Sequence, residues 1–181
     1  MSPEAILRRA RRKPLLERTE TSNEVQIARH EIEQLLPHRD PMLLVDRISA
    51  IDLEEQSIVG HRFIDPADPI LRGHFPDHPV YPGALLVEVI GQVSLCLNHF
   101  LDVGRTEVLD DDRPRSLRLM KVHEALFLDE VRPDCELEVL CRRLESDAFT
   151  ATCVGQVVES GRICAIAMMD VYFLDEEPTD D

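Results

Sequence analysis

The chain has 181 residues, enough for one domain with a real hydrophobic core and too few for two. Its 20 Lys and Arg against 35 Asp and Glu leave a formal charge of -15, so the surface as a whole repels nucleic acid and anionic membranes. The five Cys, at 96, 135, 141, 153 and 164, are odd in number and form no CxxC pair. They indicate neither a disulfide framework nor a Cys-rich zinc site, and a reducing cytoplasm is the simple reading.

In chain order, "MSPEAILRRARRKPLLERTE" is basic and has no continuous apolar run, which argues against a secretory signal. We expect a solvated basic tail over residues 1–28, whose Arg8, Arg9, Arg11, Arg12 and Lys13 could contact an acidic partner. One domain over 29–174 and a disordered acidic tail over 175–181 complete the organisation. Ile32, Leu35 and Leu36 stand at helical spacing before Pro37 and predict a short helix. "MLLVDRISAI" (42–51) and "QSIVGHRFI" (56–64) read as strands.

"DPADPILRGHFPDHPVYPG" (65–83) is rich in Pro and Gly, yet its Ile70, Leu71, Phe75, Val80 and Tyr81 favour an ordered loop packed on the fold. Pro82 and Gly83 then open a helix from Ala84 to about Leu101 that is apolar nearly all round. Glu88, Gln92, Asn98 and His99 make it a poor membrane span and a good buried helix. After the charged linker "GRTEVLDDDRPR", the segments "SLRLMKV", "ALFLDEV", "CELEVLCRRLE", "AFTATCVGQVVE" and "RICAIAMMDVYFL" read as successive strands. Glu159-Ser160-Gly161 forms a hairpin turn between the last two. A long apolar helix followed by antiparallel strands predicts an α+β fold with a curved sheet over the helix. One helix cannot cover five or six strands alone, so a symmetric homodimer is expected.

A carboxylate on an apolar helix loses hydration, which favours its protonated form and suits Glu88 to a general acid. His74, fourteen residues earlier, is the kind of group that takes a proton at neutral pH. The two can meet only through tertiary or dimer contact. Alternatively, Glu88 pairs with a buried Arg and His74 caps a loop carbonyl. Gln92, one turn after Glu88, either orients that carboxylate or serves as a core amide. At Gly83, free backbone N–H groups and the helix dipole can polarise a carbonyl oxygen. His74, Asp77 and His78 spell H-x-x-D-H, but Pro76 and Pro79 deny them a continuous helix, and no metal is expected. No nucleotide loop or nucleophile elbow occurs, so no cofactor is expected either.

Two blocks, "LLPHRDPMLLVDRI" (35–48) and "GHFPDHPVYPGALLVEVIGQ" (73–92), resemble the FabZ-type (3R)-hydroxyacyl-[acyl carrier protein] dehydratases, and the resemblance runs from about Ile32 to Phe173. It implies the hot-dog fold, a long central helix wrapped by a curved antiparallel sheet. It also implies a dimer or a trimer of dimers with sites at the dimer interface. His74 would remove the C2 proton of a β-hydroxyacyl thioester, on an acyl carrier protein or CoA. Glu88 of the other subunit would help the β-hydroxyl leave as water, and the Gly83 N–H would hold the thioester carbonyl. Gln92 would sit near the acid, and Phe75 and Tyr81 would complete the substrate site. The resemblance implies no cofactor, metal, nucleic acid or membrane.

The chain departs from that family in three places. Asp40 stands where an aromatic residue commonly gates the tunnel, and Tyr81 where a smaller Met is common. Near the groove mouth, Leu126, Leu128 and Asp129 replace basic residues, although carrier proteins are acidic. Arg72, Arg113, Arg115, Arg118, Lys121 or the N-terminal stretch would then have to supply the docking charge, or the donor is a specialised carrier or CoA. A hot-dog acyl thioesterase and a non-catalytic acyl-binding subunit are the competing functions.

Overall fold

Long apolar stretches with few Pro and many β-branched residues dominate the second half of the chain; three of them pair in sequence order and the fourth crosses over to the far edge. The computed structural model describes residues 3–16, 21–114 and 117–174. Its strands are β1 (Asn23–Ala28), β2 (Arg47–Asp52), β3 (Ser57–Ile64), β4 (Leu117–Phe127), β5 (Cys135–Ser146), β6 (Thr150–Glu159) and β7 (Arg162–Phe173). They form one antiparallel sheet in the order β1-β2-β3-β5-β6-β7-β4. The β6–β7 turn has Ser160 at φ 48° and Gly161 at φ 81°, the two positive values that match the twist of a tight hairpin.

The helices are α1 (Pro3–Ala10), α2 (Arg29–Leu35), α3 (Pro69–Gly73) and α4 (Gly83–Val103). The expected long helix is α4, which ends at Gly104 in the left-handed conformation and packs against β3, β5, β6 and β7. It is long and apolar enough to cross a membrane, but it lies in the core of this fold, with Val89, Ile90, Val93, Leu97 and Phe100 buried. Two glycines let it approach the sheet closely. A Cβ on Gly155 would come within 2.2 Å of Ile90, and one on Gly60 within 2.6 Å of Val93. The sheet thus wraps a central helix, as expected.

Three expectations need correction. Among the described residues, 3–16 and 21–28 are not a frayed tail: α1 lays Leu7 and Ala10 on Val154, Ile166 and Met168 at the outer face of the sheet. Buried Gln156 ties its end down. It donates to the carbonyls of Ala10 (2.6 Å) and Lys13 (3.0 Å) and accepts from the Leu15 N–H (2.9 Å). β1 then pairs with β2 as an edge strand, its polar sequence hiding it from periodicity. Residues 17–20 and 175–181 lie outside the described residues.

Second, residues 42–46 are not strand, although Leu43, Leu44 and Val45 are buried. Gln92 replaces a neighbouring strand there, donating to the Met42 carbonyl (2.7 Å) and accepting from the Leu44 N–H (2.8 Å). Third, β4 is one strand rather than two, because register shifts at Leu119/Lys121 and Val122/Glu124 bend it without breaking the ladder. The charged linker before it is folded too. Arg105 grips Asp112, which is 6% exposed and also accepts from the Leu109 N–H at 2.8 Å.

Candidate active site

The Pro-rich loop is built to hold an imidazole. Asp68 caps α3 by accepting from the Ile70 N–H (3.0 Å), and α3 runs directly into His74. A carbonyl can only accept, so the 2.7 Å contact between His74 Nδ1 and the Val80 carbonyl places the ring proton on Nδ1. In the neutral ring, Nε2 is left with a free lone pair. Phe75 follows at φ 63°, unusual for a bulky residue, with its ring centroid 4.1 Å from that of His74. His78 turns away to Glu130 at 3.1 Å, so the H-x-x-D-H residues do not share a site.

His74, Val80, Tyr81, Gly83, Ala84 and Phe127 line a groove of about 600 Å³ at the start of α4. The first backbone bonds of that helix run from Leu85 and Leu86 to the Pro82 carbonyl, so the Gly83 and Ala84 amides stand ahead of them at the positive end of the dipole. Glycine is required here by close approach: a Cβ on Gly83 would stand 2.8 Å from the Phe127 ring. Tyr81 is a wall residue rather than an exposed gate. It is 2% exposed, and burial pushes its phenol above the usual range, partly opposed by the Arg62 guanidinium.

Glu88 lies five residues beyond Gly83, about 140° around the helix, in a second cavity of about 310 Å³ with His38, Gly91, Gln92, Leu95 and Met169. Its side chain is 33% exposed in the single chain, so the expected burial is only partial. Gln92, 1% exposed, donates to Glu88 Oε1 at 2.8 Å while holding Met42 and Leu44, and so fills both of the roles left open for it. No Arg pairs with Glu88 among the described residues. Its other neighbour is His38, with Nε2 3.4 Å from Oε1 and a buried Nδ1 that has no hydrogen-bond partner. Sequence reasoning passed over His38. In the sequence it is one His after a helix-ending Pro, and only the fold brings it to the acid.

His74 and Glu88 therefore line different cavities that share Ala84. Their supporting loops are joined by a chain of ion pairs. Asp40 binds Arg29, Arg29 binds Asp46 (2.9 Å), Asp46 binds Arg62 (3.2 Å), and Arg62 reaches the α3 cap Asp68 at 3.7 Å. Asp40 is thus an anchor for the His38 loop. Elsewhere, Ser49 Oγ sits 2.7 Å from His61 Nε2, but Arg47 donates to His61 Nδ1. The ring proton is then on Nε2 and points at Ser49, the wrong tautomer for activating a nucleophile.

Residues 36–167 match the family model described as the FabA-like domain. The chain belongs to the FabA-like family. Within it, the 3-hydroxyacyl-[acyl-carrier-protein] dehydratase FabZ of Xanthomonas oryzae pv. oryzae is 33% identical over 151 residues, covering 80% of this chain and 95% of the relative. The protein of the same name from Chlamydia abortus is 34% identical over 151 residues, with 80% and 94% covered. Among solved structures, the dehydratase heterocomplex ApeI:P from Xenorhabdus doucetiae aligns with a TM-score of 0.61 at 14% identity, over 80% of this chain and 91% of that one. A hypothetical thioesterase from Streptococcus pneumoniae with coenzyme A aligns at 0.51 and 12% identity, over 66% and 80%. At these identities the structural matches establish the hot-dog fold and leave activity aside. The FabA-like match includes His38, His74, Gly83, Glu88 and Gln92.

Proposed function

We propose that the protein dehydrates a (3R)-hydroxyacyl thioester, delivered by an acyl carrier protein, to the trans-2-enoyl thioester in fatty-acid biosynthesis. The observation that carries the reading is His74. With its Nδ1 proton held by the Val80 carbonyl, it presents an unprotonated Nε2 to a groove at the head of α4. Nε2 takes the C2 proton while the Gly83 amide stabilises the charge building on the thioester oxygen. The Glu88 carboxyl, oriented by Gln92, gives its proton to the β-hydroxyl as the C3–O bond breaks, and water leaves. A proton passing from the imidazolium back to the carboxylate through solvent restores both groups.

His74 and Glu88 line different cavities beside α4, so the complete site joins His74 of one copy to Glu88 of the other in a dimer. The edge strand β4, with Leu119, Met120 and Val122 exposed, supports an apolar contact between copies. The test follows enoyl product and free thiol from a β-hydroxyacyl carrier thioester with wild type, His74→Ala and Glu88→Ala. Enoyl product from wild type alone is expected. Free thiol without enoyl product would replace the reading with a thioesterase.

A further inference from the structure

We propose that helix α1 and the turn after it form the docking face for the acidic acyl carrier protein, a placement that rests on the dehydratase reading above. At the groove mouth most nearby cations are already neutralised; Arg72, exposed on α3 two residues before His74, is a lone exception among the described residues. Arg162 pairs with Asp129 at 2.8 Å, and Arg132 and His78 pair with Glu130 at 3.3 and 3.1 Å. The mouth offers apolar surface from Phe127 and Leu128, both exposed, but no free positive charge from these groups.

The opposite holds on α1. Arg8, Arg12 and Lys13 are exposed and have no ion-pair partner among the described residues, while Arg11 is fixed to Glu124 at 2.9 Å. These charges are mounted rigidly, because Leu7 and Ala10 are buried on the sheet and Gln156 binds the backbone at Ala10, Lys13 and Leu15. Ordering a basic segment on the body of the protein lowers the conformational cost of using it in an interface. On a chain of net charge -15, such a cationic face favours an acidic protein over nucleic acid, whose long backbone would meet the repelling remainder of the surface.

The distances fit one partner covering both features. Leu126 packs in the cluster under α1, and the next residue, Phe127, reaches Gly83, so the basic helix and the groove sit on opposite faces of the same strand end. From Glu124, under Arg11, to Asp129 at the mouth is five residues, about 17 Å of extended chain. A folded domain of about 100 residues has a radius of gyration near 13 Å. A carrier seated over Phe127 and Leu128 therefore extends far enough to meet Arg8, Arg12 and Lys13. Of the other cations considered from the sequence, Arg115 lies outside the described residues.

The experiment compares wild type with the triple variant Arg8→Glu, Arg12→Glu, Lys13→Glu in two measurements. One is binding of fluorescently labelled acyl carrier protein by anisotropy. The other is turnover of the same hydroxyacyl group on the carrier and on pantetheine, which lacks the protein. The variant is expected to bind the carrier about tenfold more weakly or worse at low salt, with the wild-type advantage shrinking as salt rises. Its KM for the carrier substrate should rise while its turnover of the pantetheine thioester stays at the wild-type level. Equal carrier binding by both proteins would overturn the docking face and leave the dehydratase reading intact. Equal loss on both substrates, with weaker melting, would also overturn it, by showing a structural role. Charge-dependent carrier binding by a wild type that forms no enoyl product would uphold the docking face and overturn the dehydratase.

Discussion

Gln92 uses both amide protons and its carbonyl oxygen inside the core, on Glu88, Met42 and Leu44. Gln92→Ala orphans the buried Leu44 N–H and the partly buried Met42 carbonyl, at about 1–3 kcal/mol for the buried group, so urea unfolding should show a clear loss of stability together with a lower kcat. Asp112 supplies a pH test. The Arg105 side chain beside it holds its carboxyl at about 2, below the usual 3.8, so the folded state gains stability above pH 3.8 and loses it as pH falls toward 2. Asp112→Asn should lower the melting temperature at pH 7, and the gap from wild type should close between about pH 4 and 2. At this scale the sequence is only partly legible. His74, Gly83 and Glu88 could be singled out because each is chemically out of place in its local stretch. His38 could not, since its meaning lies in a contact with Glu88 across fifty residues of chain, and Asp40 reads as a lost gate until Arg29 is seen beside it.

Among the elements, α4 and the β6–β7 hairpin were readable from composition and turn chemistry alone. What was missed depends on partners the local sequence does not contain: a side-chain amide standing in for a strand at 42–46, and a sheet surface that makes α1 worth forming. The cavity beside Glu88 also belongs to α4. A Cβ on Gly91 would meet only Met169, at 3.6 Å, so this position opens room along the helix next to the acid. Gly91→Leu should fill that room and cut kcat/KM for long acyl chains about tenfold or more while sparing the shortest. Turnover of a chain-length series would check this, and a uniform loss across the series would remove the cavity from the acyl path.

For the whole molecule, the arrangement of His74 and Glu88 makes a prediction about mixtures. Inactive His74→Ala and Glu88→Gln chains, unfolded together and refolded at equal amounts, should regain about a quarter of wild-type activity, because half the dimers are mixed and each holds one intact site. No recovery would mean that each site is complete within one chain. The expected pairing of copies rests on the mismatch between one helix and a wide sheet, and the edge proposed for it could not be read from the sequence, since the exposure of Leu119 and Met120 emerges only once β4 is last in the order. Finally, the depth of α4 is set by Gly60 and Gly155, on strands that line neither the His74 groove nor the Glu88 cavity. Adding a methyl group at either position would lift the helix and carry Glu88 with it. In a library screened for activity, these two glycines should therefore stand out as sensitive sites, inherited constraints on distance rather than on chemistry.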